Sequence, residues 1–356
     1  MSSCWGNNIK FSIFGESHGK AIGCVIDGLP AGEEIDFAQL RKFMARRAPG
    51  QGPHTTARHE EDNVEILSGV MNYRTTGAPL TAIIRNEDMH SSDYESLRDI
   101  PRPGHADFAA QMRYHGFQDV RGGGHFSGRL TAPLCIAGEI ARQILARRGI
   151  TVGAHISCIN CTQDTPYDPV HLTRDQLMMA ANRAFPVLDG NAGAQMLAMI
   201  ADTAALGDSI GGQIEVAAIG VPGGLGDPMF DGVENRLSSL FFGIPAVRAV
   251  EFGSGTAVAR MRGSENNDQF MIENGNIRTV TNNHGGVLGG ITTGMPLIAK
   301  LTIKPTPSIA LTQHSVSLSK KCNTELNITG RHDPCIVPRA VPVAEAAMAL
   351  GLLDLM

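Results

Sequence analysis

Two short signatures occur twice in this chain, in the same order, and they limit how it can fold. Residues 28–32 (GLPAG) and residues 220–224 (GVPGG) each follow an apolar run and precede a stretch with helical spacing. Further along, residues 75–82 (TTGAPLTA) are matched by residues 292–299 (TTGMPLIA). A Pro-Gly turn between a strand and a helix is thus used twice, each time with a later strand.

This repetition predicts two related halves, at about residues 1–150 and 200–310, with a period far too long for a solenoid. Chance matching of Gly and Pro turns is the alternative. Because the sequence motifs that carry chemistry fall in both halves, we expect one intertwined domain over residues 1–356.

Hydrophobic spacing predicts both helices and strands, grouped in clusters without a regular βαβ alternation. Asp36 is placed to cap a helix that Ala48-Pro49-Gly50 ends. The clustering favours an α+β fold, with mixed or antiparallel sheets, over a doubly wound sheet. The predicted helices are 37–47, 130–148, 173–185, 192–206, 232–242 and 341–353, and the predicted strands include 9–14, 64–67, 80–85, 152–158 and 297–303.

Composition excludes some classes of function. The net charge of −5 argues against a nucleic-acid surface held by overall basicity. No segment reaches the length of apolar sequence that a membrane span needs, and no leader is recognisable, so we expect a cytoplasmic protein without a membrane partner. A single CxxC at 158–161 is more typical of structural cysteines than of a metal or redox site, so no metal is expected.

Arginine dominates the basic residues, with seven lysines and 23 arginines. A guanidinium keeps its charge when partly buried and binds carboxylate or phosphate through two parallel hydrogen bonds. Arg46 and Arg47, at the end of a predicted helix, therefore suit a small polyanion in a pocket. Ordinary surface ion pairing is the alternative for any isolated arginine.

Three short motifs place proton-carrying side chains beside glycines or fixed cations. In residues 15–19 (GESHG), His18 can donate a proton to a departing phosphate, although it can equally be a turn histidine bonded to a carbonyl. In residues 102–107 (RPGHAD), we assign His105 to the site and Asp107 to a structural role at a helix start. Arg102 can hold an anion beside a protonated His105.

The third motif is residues 330–335 (GRHDPC). Arg331 supplies a fixed cation, and Asp333 can take or relay a proton if it faces an apolar pocket. An Asp-Arg brace of the turn is the alternative.

Two glycine-rich runs can approach a ligand with their backbone. Residues 122–129 (GGGHFSGR) lead directly into a helix, so backbone N–H groups there can receive a phosphate, but the ending of a P-loop and the spacing of a Rossmann motif are both missing. Residues 285–290 (GGVLGG) can lie against a flat ring or at a crowded sheet crossing.

Taken together and in this order, the motifs resemble the chorismate synthase family, and the likeness continues through residues 304–308 (KPTPS). The resemblance implies a sandwich of helices between antiparallel sheets, assembled as a homotetramer. It implies an anti-1,4-elimination that removes phosphate and a ring hydrogen from 5-enolpyruvylshikimate 3-phosphate to give chorismate. It also implies reduced FMN as cofactor, although the reaction has no net redox change.

Roles follow from the resemblance for positions that match the family's motifs. His18 corresponds to the histidine beside the leaving phosphate, His105 to the one supporting the reduced flavin ring, and Asp333 to the carboxylate coupled to proton removal. The substrate-facing arginines implied are Arg47, Arg129 and Arg331. The flavin contacts implied are His125, Phe126, Ser127, Pro245, Ala246, Gly286, Lys304, Pro305, Thr306, Pro307, Ser308 and Arg331.

The chain departs from the family pattern in two places. His125-Phe126-Ser127 stands where many members have Arg-Ser-Ser, which affects the contacts to the flavin phosphate. Pro53 stands where some members carry an arginine assigned to nicotinamide binding. NADPH is therefore expected only if the chain reduces its own flavin, and a separate flavin reductase is the alternative partner.

Two other classes of function explain part of the pattern. A phosphohydrolase for a sugar-like phosphate accounts for the histidines and arginines without flavin. A non-catalytic protein that binds a phosphorylated ligand accounts for the pocket without turnover.

Overall fold

The computed structural model describes residues 3–50, 62–86, 96–328 and 332–356. The helices are α1 Phe37–Arg47, α2 Asp107–Tyr114, α3 Thr131–Arg147, α4 Arg174–Ala181, α5 Gly190–Ala205, α6 Val233–Gly243, α7 Gly263–Asn266 and α8 Val337–Asp354. Short 3-10 helices span Ser96–Arg98, Arg121–Phe126, Gly128–Leu130, Met229–Asp231 and Gly255–Arg260.

The strands are β1 Cys4–Trp5, β2 Lys10–Gly15, β3 Ala21–Asp27, β4 Val64–Ser68, β5 Val70–Met71, β6 Arg74–Thr75, β7 Leu80–Arg85, β8 Thr151–Ile159, β9 Thr162–Gln163, β10 Gly212–Ile219, β11 Val247–Phe252, β12 Phe270–Glu273, β13 Asn276–Thr279, β14 Val287–Leu288, β15 Ile291–Thr292, β16 Leu297–Ile303, β17 Gln313–Ser317 and β18 Cys322–Leu326.

Two five-stranded antiparallel sheets enclose a layer of helices. The first sheet has the order β1-β2-β3-β7-β4, and the second has the order β11-β16-β10-β8-β9. Helix α3 packs against β2, β3 and β7, helix α8 packs against β8 and β10, and the two helices pack against each other. The predicted α+β class, a sandwich of helices between antiparallel sheets, is confirmed.

The contact between α3 and α8 is close because one position has no side chain. At Gly138 in α3, a Cβ atom would overlap the backbone and side chain of Ala346 in α8. Almost every residue of α8 is buried, which is typical of a helix in the centre of a core. The two helices therefore form the middle of the molecule.

Most predicted helices and strands are present, but the predicted start of one helix and the predicted end of another are wrong. Helix α1 runs from Phe37 to Arg47, and the carboxylate of Asp36 accepts the N–H groups of Ala38 and Gln39 as the predicted cap. The C-terminal helix was predicted to begin at 341, but it begins at Val337. Proline near the first position of a helix loses no hydrogen bond, so Pro338 does not delay the start.

The helix predicted over 173–185 ends at Ala181 instead. Beyond it, the guanidinium of Arg183 donates to the carbonyl groups of Val187 and Leu188. The chain therefore turns, and Phe185 is buried in the main core rather than on a helix.

The two repeated signatures make the same hydrogen bonds. The hydroxyl of Thr75 donates to the carbonyl of Pro30 over 2.5 Å, and the hydroxyl of Thr292 donates to the carbonyl of Pro222 over 2.7 Å. In both places, the backbone N–H three residues after the proline donates to the same hydroxyl over 2.9 Å. This agreement supports the proposal that the chain consists of two related halves.

Among the described helices, none is both long and apolar enough to cross a lipid bilayer.

A charged histidine lies inside the second sheet. His155 is fully buried; its Nδ1 lies 2.8 Å from a carboxylate oxygen of Asp164, and its Nε2 lies 3.0 Å from one of Glu215. Since a carboxylate accepts hydrogen bonds, both ring nitrogens carry a proton and the ring is an imidazolium. Burial opposes this charge, but the two carboxylates outweigh it and raise the pKa of His155 above its ordinary value of 6.5.

We expect the free energy of unfolding to depend on pH through His155. Because the folded-state pKa lies above 6.5, this stabilisation is fully present below that pH and is lost as pH rises through the folded-state pKa. A His155→Gln variant should lose about 3 kcal/mol at low pH, because Asp164 and Glu215 then lose the cation that lies between them. Urea unfolding at about pH 6 and about pH 9 measures this, and an equal loss at both values would contradict the charged ring.

Candidate active site

A cavity of about 720 Å³ opens where loops from both halves meet the start of α8. Its wall combines cationic, polar and apolar groups, and all three of the predicted site motifs reach it or lie directly behind it. The lining residues include Arg47, Arg102, His105, Gly122, His125, Phe126, Ser127, Arg129, Pro245, Ala246, Arg248, Lys304, Thr306, Pro307, Ser308, His332, Asp333, Ile336, Arg339 and Val343.

A run of three glycines sets the positions of the two predicted site histidines. Gly122, Gly123 and Gly124 have φ values of 58°, 85° and 54°, which glycine adopts without strain. A Cβ on Gly122 would overlap the ring of His18, and a Cβ on Gly123 would come within 3.1 Å of Nε2 of His105. The two imidazoles therefore pack against consecutive residues of one turn.

His18 does not line the cavity itself. Its residue is only 4% exposed, and Gly122 stands between its ring and the open space. The backbone N–H of Ser17 donates to the carbonyl of Gly124 over 3.1 Å, which fastens the first motif to the glycine run. Since glycine has no side chain, the ring of His18 remains close to the cavity wall.

His105 is held by the two neighbours that the motif supplies. Its Nδ1 lies 2.5 Å from the carboxylate of Asp107, and Arg102 donates to the same carboxylate from Nε and Nη2 over 2.7 and 2.8 Å. Burial would raise the pKa of Asp107, but the bonds from Arg102 and His105 outweigh burial and hold that pKa well below its usual range. Asp107 is therefore an anion that orients both neighbours, in keeping with its assigned structural role.

Asp333 lines the cavity and pairs with an arginine that the sequence did not single out. Arg339, in the first turns of α8, donates from Nη1 to the carboxylate of Asp333 and from Nε to the carbonyl of Arg47 over 3.0 Å. Arg331, the arginine predicted beside Asp333, lies outside the described residues, as does Pro53. Asp333 and Arg339 are six positions apart in the sequence, and that spacing alone does not indicate contact.

Arg47 and Arg129, for which a substrate-facing role is predicted, both line the cavity. Each also donates from Nη1 to the carboxylate of Asp62, one to each oxygen. Burial opposes the charge on Asp62, but the two guanidinium groups outweigh it and lower the pKa of that carboxyl. Asp62 was not predicted, because nothing near it in the sequence marks it.

Residues 304–308 approach the cavity from the end of β16. Lys304, Thr306, Pro307 and Ser308 line it, whereas Pro305 faces away and packs beside Gly211. Burial and the nearby charge of Arg248 lower the pKa of Lys304. The hydroxyl of Thr306 is buried and has no hydrogen-bond partner within the described chain.

The variant triplet 125–127 also lines the cavity. The ring of His125 is fixed by Gly15, whose carbonyl lies 2.8 Å from Nδ1, and by Ser3, whose hydroxyl lies 2.8 Å from Nε2. Phe126 is partly exposed and lies near Tyr114, with ring centroids 6.2 Å apart. In this chain the triplet therefore presents an aromatic face and a tethered imidazole.

Pro245 and Ala246 line the cavity, but Gly286 does not. Ala246 has a φ of 75°, and its carbonyl accepts the N–H of Lys304 over 3.0 Å. Gly286 lies against the backbone of Pro296 and Leu297, where a Cβ would not fit. This close approach of two backbone segments explains why residue 286 is a glycine. The flavin contact predicted for Gly286 stays a prediction.

The comparisons with known proteins agree with these motifs. A model of the chorismate synthase family matches residues 9–356. Chorismate synthase from Thermococcus gammatolerans is 48% identical over 349 residues, covering 98% of this chain and 96% of that protein. Chorismate synthase from Lancefieldella parvula is 45% identical, covering 99% and 96%. The chain belongs to the chorismate synthase family.

A solved crystal structure of a chorismate synthase has the same fold, with a TM-score of 0.76 and 25% identity, covering 98% of this chain and 92% of that chain. The family predicted from the motifs is confirmed. The chain is therefore a carbon–oxygen lyase acting on phosphates, and it forms chorismate from 5-enolpyruvylshikimate 3-phosphate in aromatic amino-acid biosynthesis.

The residues around the cavity fit the reduced FMN that the chorismate synthase resemblance implies. Phe126, Pro245, Ile336 and Val343 provide apolar surface for a flat ring. The buried hydroxyl of Thr306, which lacks a partner in the described chain, can bond a polar atom of the flavin.

Gly122→Ala should lower kcat by about 10²-fold, because the new methyl group displaces His18 by more than active-site geometry tolerates. The matched control is Gly275→Ala. Gly275 also has a positive φ, of 80°, but a Cβ there would meet no atom within 4 Å. Steady-state chorismate formation by both variants is the measurement. Equal activities would show that backbone strain, not the position of His18, accounts for any loss.

Proposed function

We propose that this chorismate synthase uses reduced FMN and that His18, His105 and Asp333 carry the proton movements of the elimination. The observation that supports this most strongly is that three motifs distant in the sequence come together around one cavity. His105 and Asp333 line it, and His18 packs behind Gly122, which lines it too. Bound there, reduced FMN would supply electron density for the departure of the phosphate and would recover it on removal of the ring hydrogen.

The substrate carries two carboxylates and a phosphate, and the proposed binding groups are cations. Arg47 and Arg129 bind anionic groups of the substrate, with Arg331 as a third arginine in the proposal. Guanidinium groups suit this task because they bind planar or tetrahedral oxyanions through paired hydrogen bonds.

His18 protonates the departing phosphate, for which an imidazole is well matched near neutral pH. His105, fixed by Asp107, supports the reduced flavin ring. Asp333 takes part in removing the ring hydrogen, and its pairing with Arg339 holds the carboxylate in one orientation.

The remaining parts of the proposal concern cofactor contacts, assembly and location. Flavin contacts are proposed for residues 125–127, 245–246, 304–308, Gly286 and Arg331. We propose a cytoplasmic homotetramer, and the exposed apolar side chains of the β12–β13 hairpin support an assembly: Phe270, Ile272 and Ile277 are 71%, 71% and 70% exposed. Reduced flavin comes either from a separate reductase or from the chain itself, and NADPH is needed only if the chain reduces its own flavin.

The decisive experiment follows chorismate absorbance under anaerobic conditions, with substrate and with or without reduced FMN. Product that depends on reduced FMN supports the proposal. Phosphate release that proceeds equally well without flavin would instead identify a phosphohydrolase.

His18→Ala and Asp333→Asn should each lower kcat by about 10²- to 10⁴-fold, the usual contribution of a positioned acid or base. His171→Ala is the control, because His171 is exposed and far along the chain from the site motifs. The anaerobic chorismate assay gives kcat for all three. Full activity of either site variant would remove that residue from the proposed chemistry.

Thr306→Val should weaken FMN binding by about fivefold, because the loss of one hydrogen bond costs roughly 1 kcal/mol. Thr279→Val is a closely matched control, since Thr279 also has a buried hydroxyl without a partner in the described chain, but does not line the cavity. Quenching of flavin fluorescence measures both affinities. Equal affinities would place the flavin away from Thr306.

A further inference from the structure

Asp62 joins the two arginines that are proposed to face the substrate. Arg47 comes from the end of α1 and Arg129 from the turn before α3, and each donates from Nη1 to a different oxygen of the same carboxylate. One anion thus holds two like charges together. Without it, two guanidinium groups this close would repel each other.

The position of Asp62 shows that its carboxylate supports the two arginines and does not occupy the place of the substrate. Its side chain has no exposure, and it is absent from the residues lining the cavity, whereas both arginines line it. A carboxylate that occupied the substrate's place would have to lie on the cavity side of the arginines. Asp62 lies behind them and leaves the cavity open.

Each guanidinium is also held at a second nitrogen. Nε of Arg47 donates to the hydroxyl of Thr131 over 3.2 Å, and Nε of Arg129 donates to the amide oxygen of Asn86 over 3.3 Å. Two contacts on a planar group fix both its position and its orientation. The arginines are therefore set before any ligand arrives.

The backbone at Asp62 is also unusual. Its φ is 43°, in the left-handed region that residues other than glycine seldom adopt, although Asp adopts it more readily than most. Such a conformation persists where surrounding contacts impose it. The two ion pairs of Asp62 are among the contacts of this residue.

We propose that Asp62 is a positioning residue, which holds Arg47 and Arg129 in the geometry that binds the anionic groups of the substrate. The inference rests on the proposed substrate-facing role of these arginines. It predicts an effect on substrate affinity that is larger than the effect on turnover, because Asp62 acts through groups that bind.

The test uses the full-length protein with Asp62→Asn and Asp62→Glu. Asp62→Asn should raise the Kd for 5-enolpyruvylshikimate 3-phosphate, measured by titration calorimetry, by about tenfold or more, with the KM rising in parallel and kcat changing by less than about threefold. Asp62→Glu keeps the charge but moves the carboxylate by one methylene, so it should raise Kd by only about threefold.

Asp354→Asn is the control for general destabilisation. Asp354 is buried and receives a hydrogen bond from Arg236 over 2.6 Å, but it lies at the far end of α8 from the cavity. This variant should bind substrate with the Kd of the unchanged protein, even if its melting temperature falls.

A Kd for Asp62→Asn within about twofold of the unchanged protein overturns the proposal, and a lower Kd would show that Asp62 competes with substrate. If Asp62→Asn does not fold, the result for Asp62→Glu tests the proposal. Weaker substrate binding by this variant supports the positioning role of Asp62, and unchanged or tighter binding overturns it. Chorismate formation by the unchanged protein is scored separately, so failure of the proposed function is not mistaken for failure of this inference.

Discussion

The packing of α3 against α8 is the constraint on which the rest of the structure depends. Gly138 lets the two helices touch backbone to backbone, and each helix carries one of the two sheets on its outer side. Thr131 at the start of α3 and Ile336 just before α8 both line the cavity. Because a helix has a partial positive charge at its N-terminus, this packing directs two such charges towards a site for anions.

Four of the arginines that line the cavity are paired with carboxylates. Arg102 is paired with Asp107, Arg339 with Asp333, and the pair formed by Arg47 and Arg129 shares one carboxylate. Buried guanidinium groups need such partners, since an uncompensated charge in the interior is costly. The same partners fix the direction of each group, so the site does little rearranging when a charged substrate enters.

Local sequence predicted much of this arrangement, because its signals were local. A few neighbouring residues are enough to recognise the cap at Asp36, the glycine run and the chemistry of the motifs. Asp62 and Arg339 were not predicted. The two arginines that bind Asp62 are distant from it in the sequence, and the spacing between Arg339 and Asp333 does not indicate contact. The predicted start of α8 was four residues late, and the missed first turn contains Pro338, which a helix tolerates there. Gly286 matches the family motif, yet only the folded backbone shows that it crosses β16.

Gly122 and Gly123 are neighbours in the chain, and each touches a different imidazole. Adjacent α-carbons are separated by about 3.8 Å across a trans peptide, a length that thermal motion hardly alters. The space beside the acid proposed for phosphate departure and the space beside the ring proposed to support the flavin are thereby limited by a single peptide unit. A shift of this turn changes the room next to both rings at once.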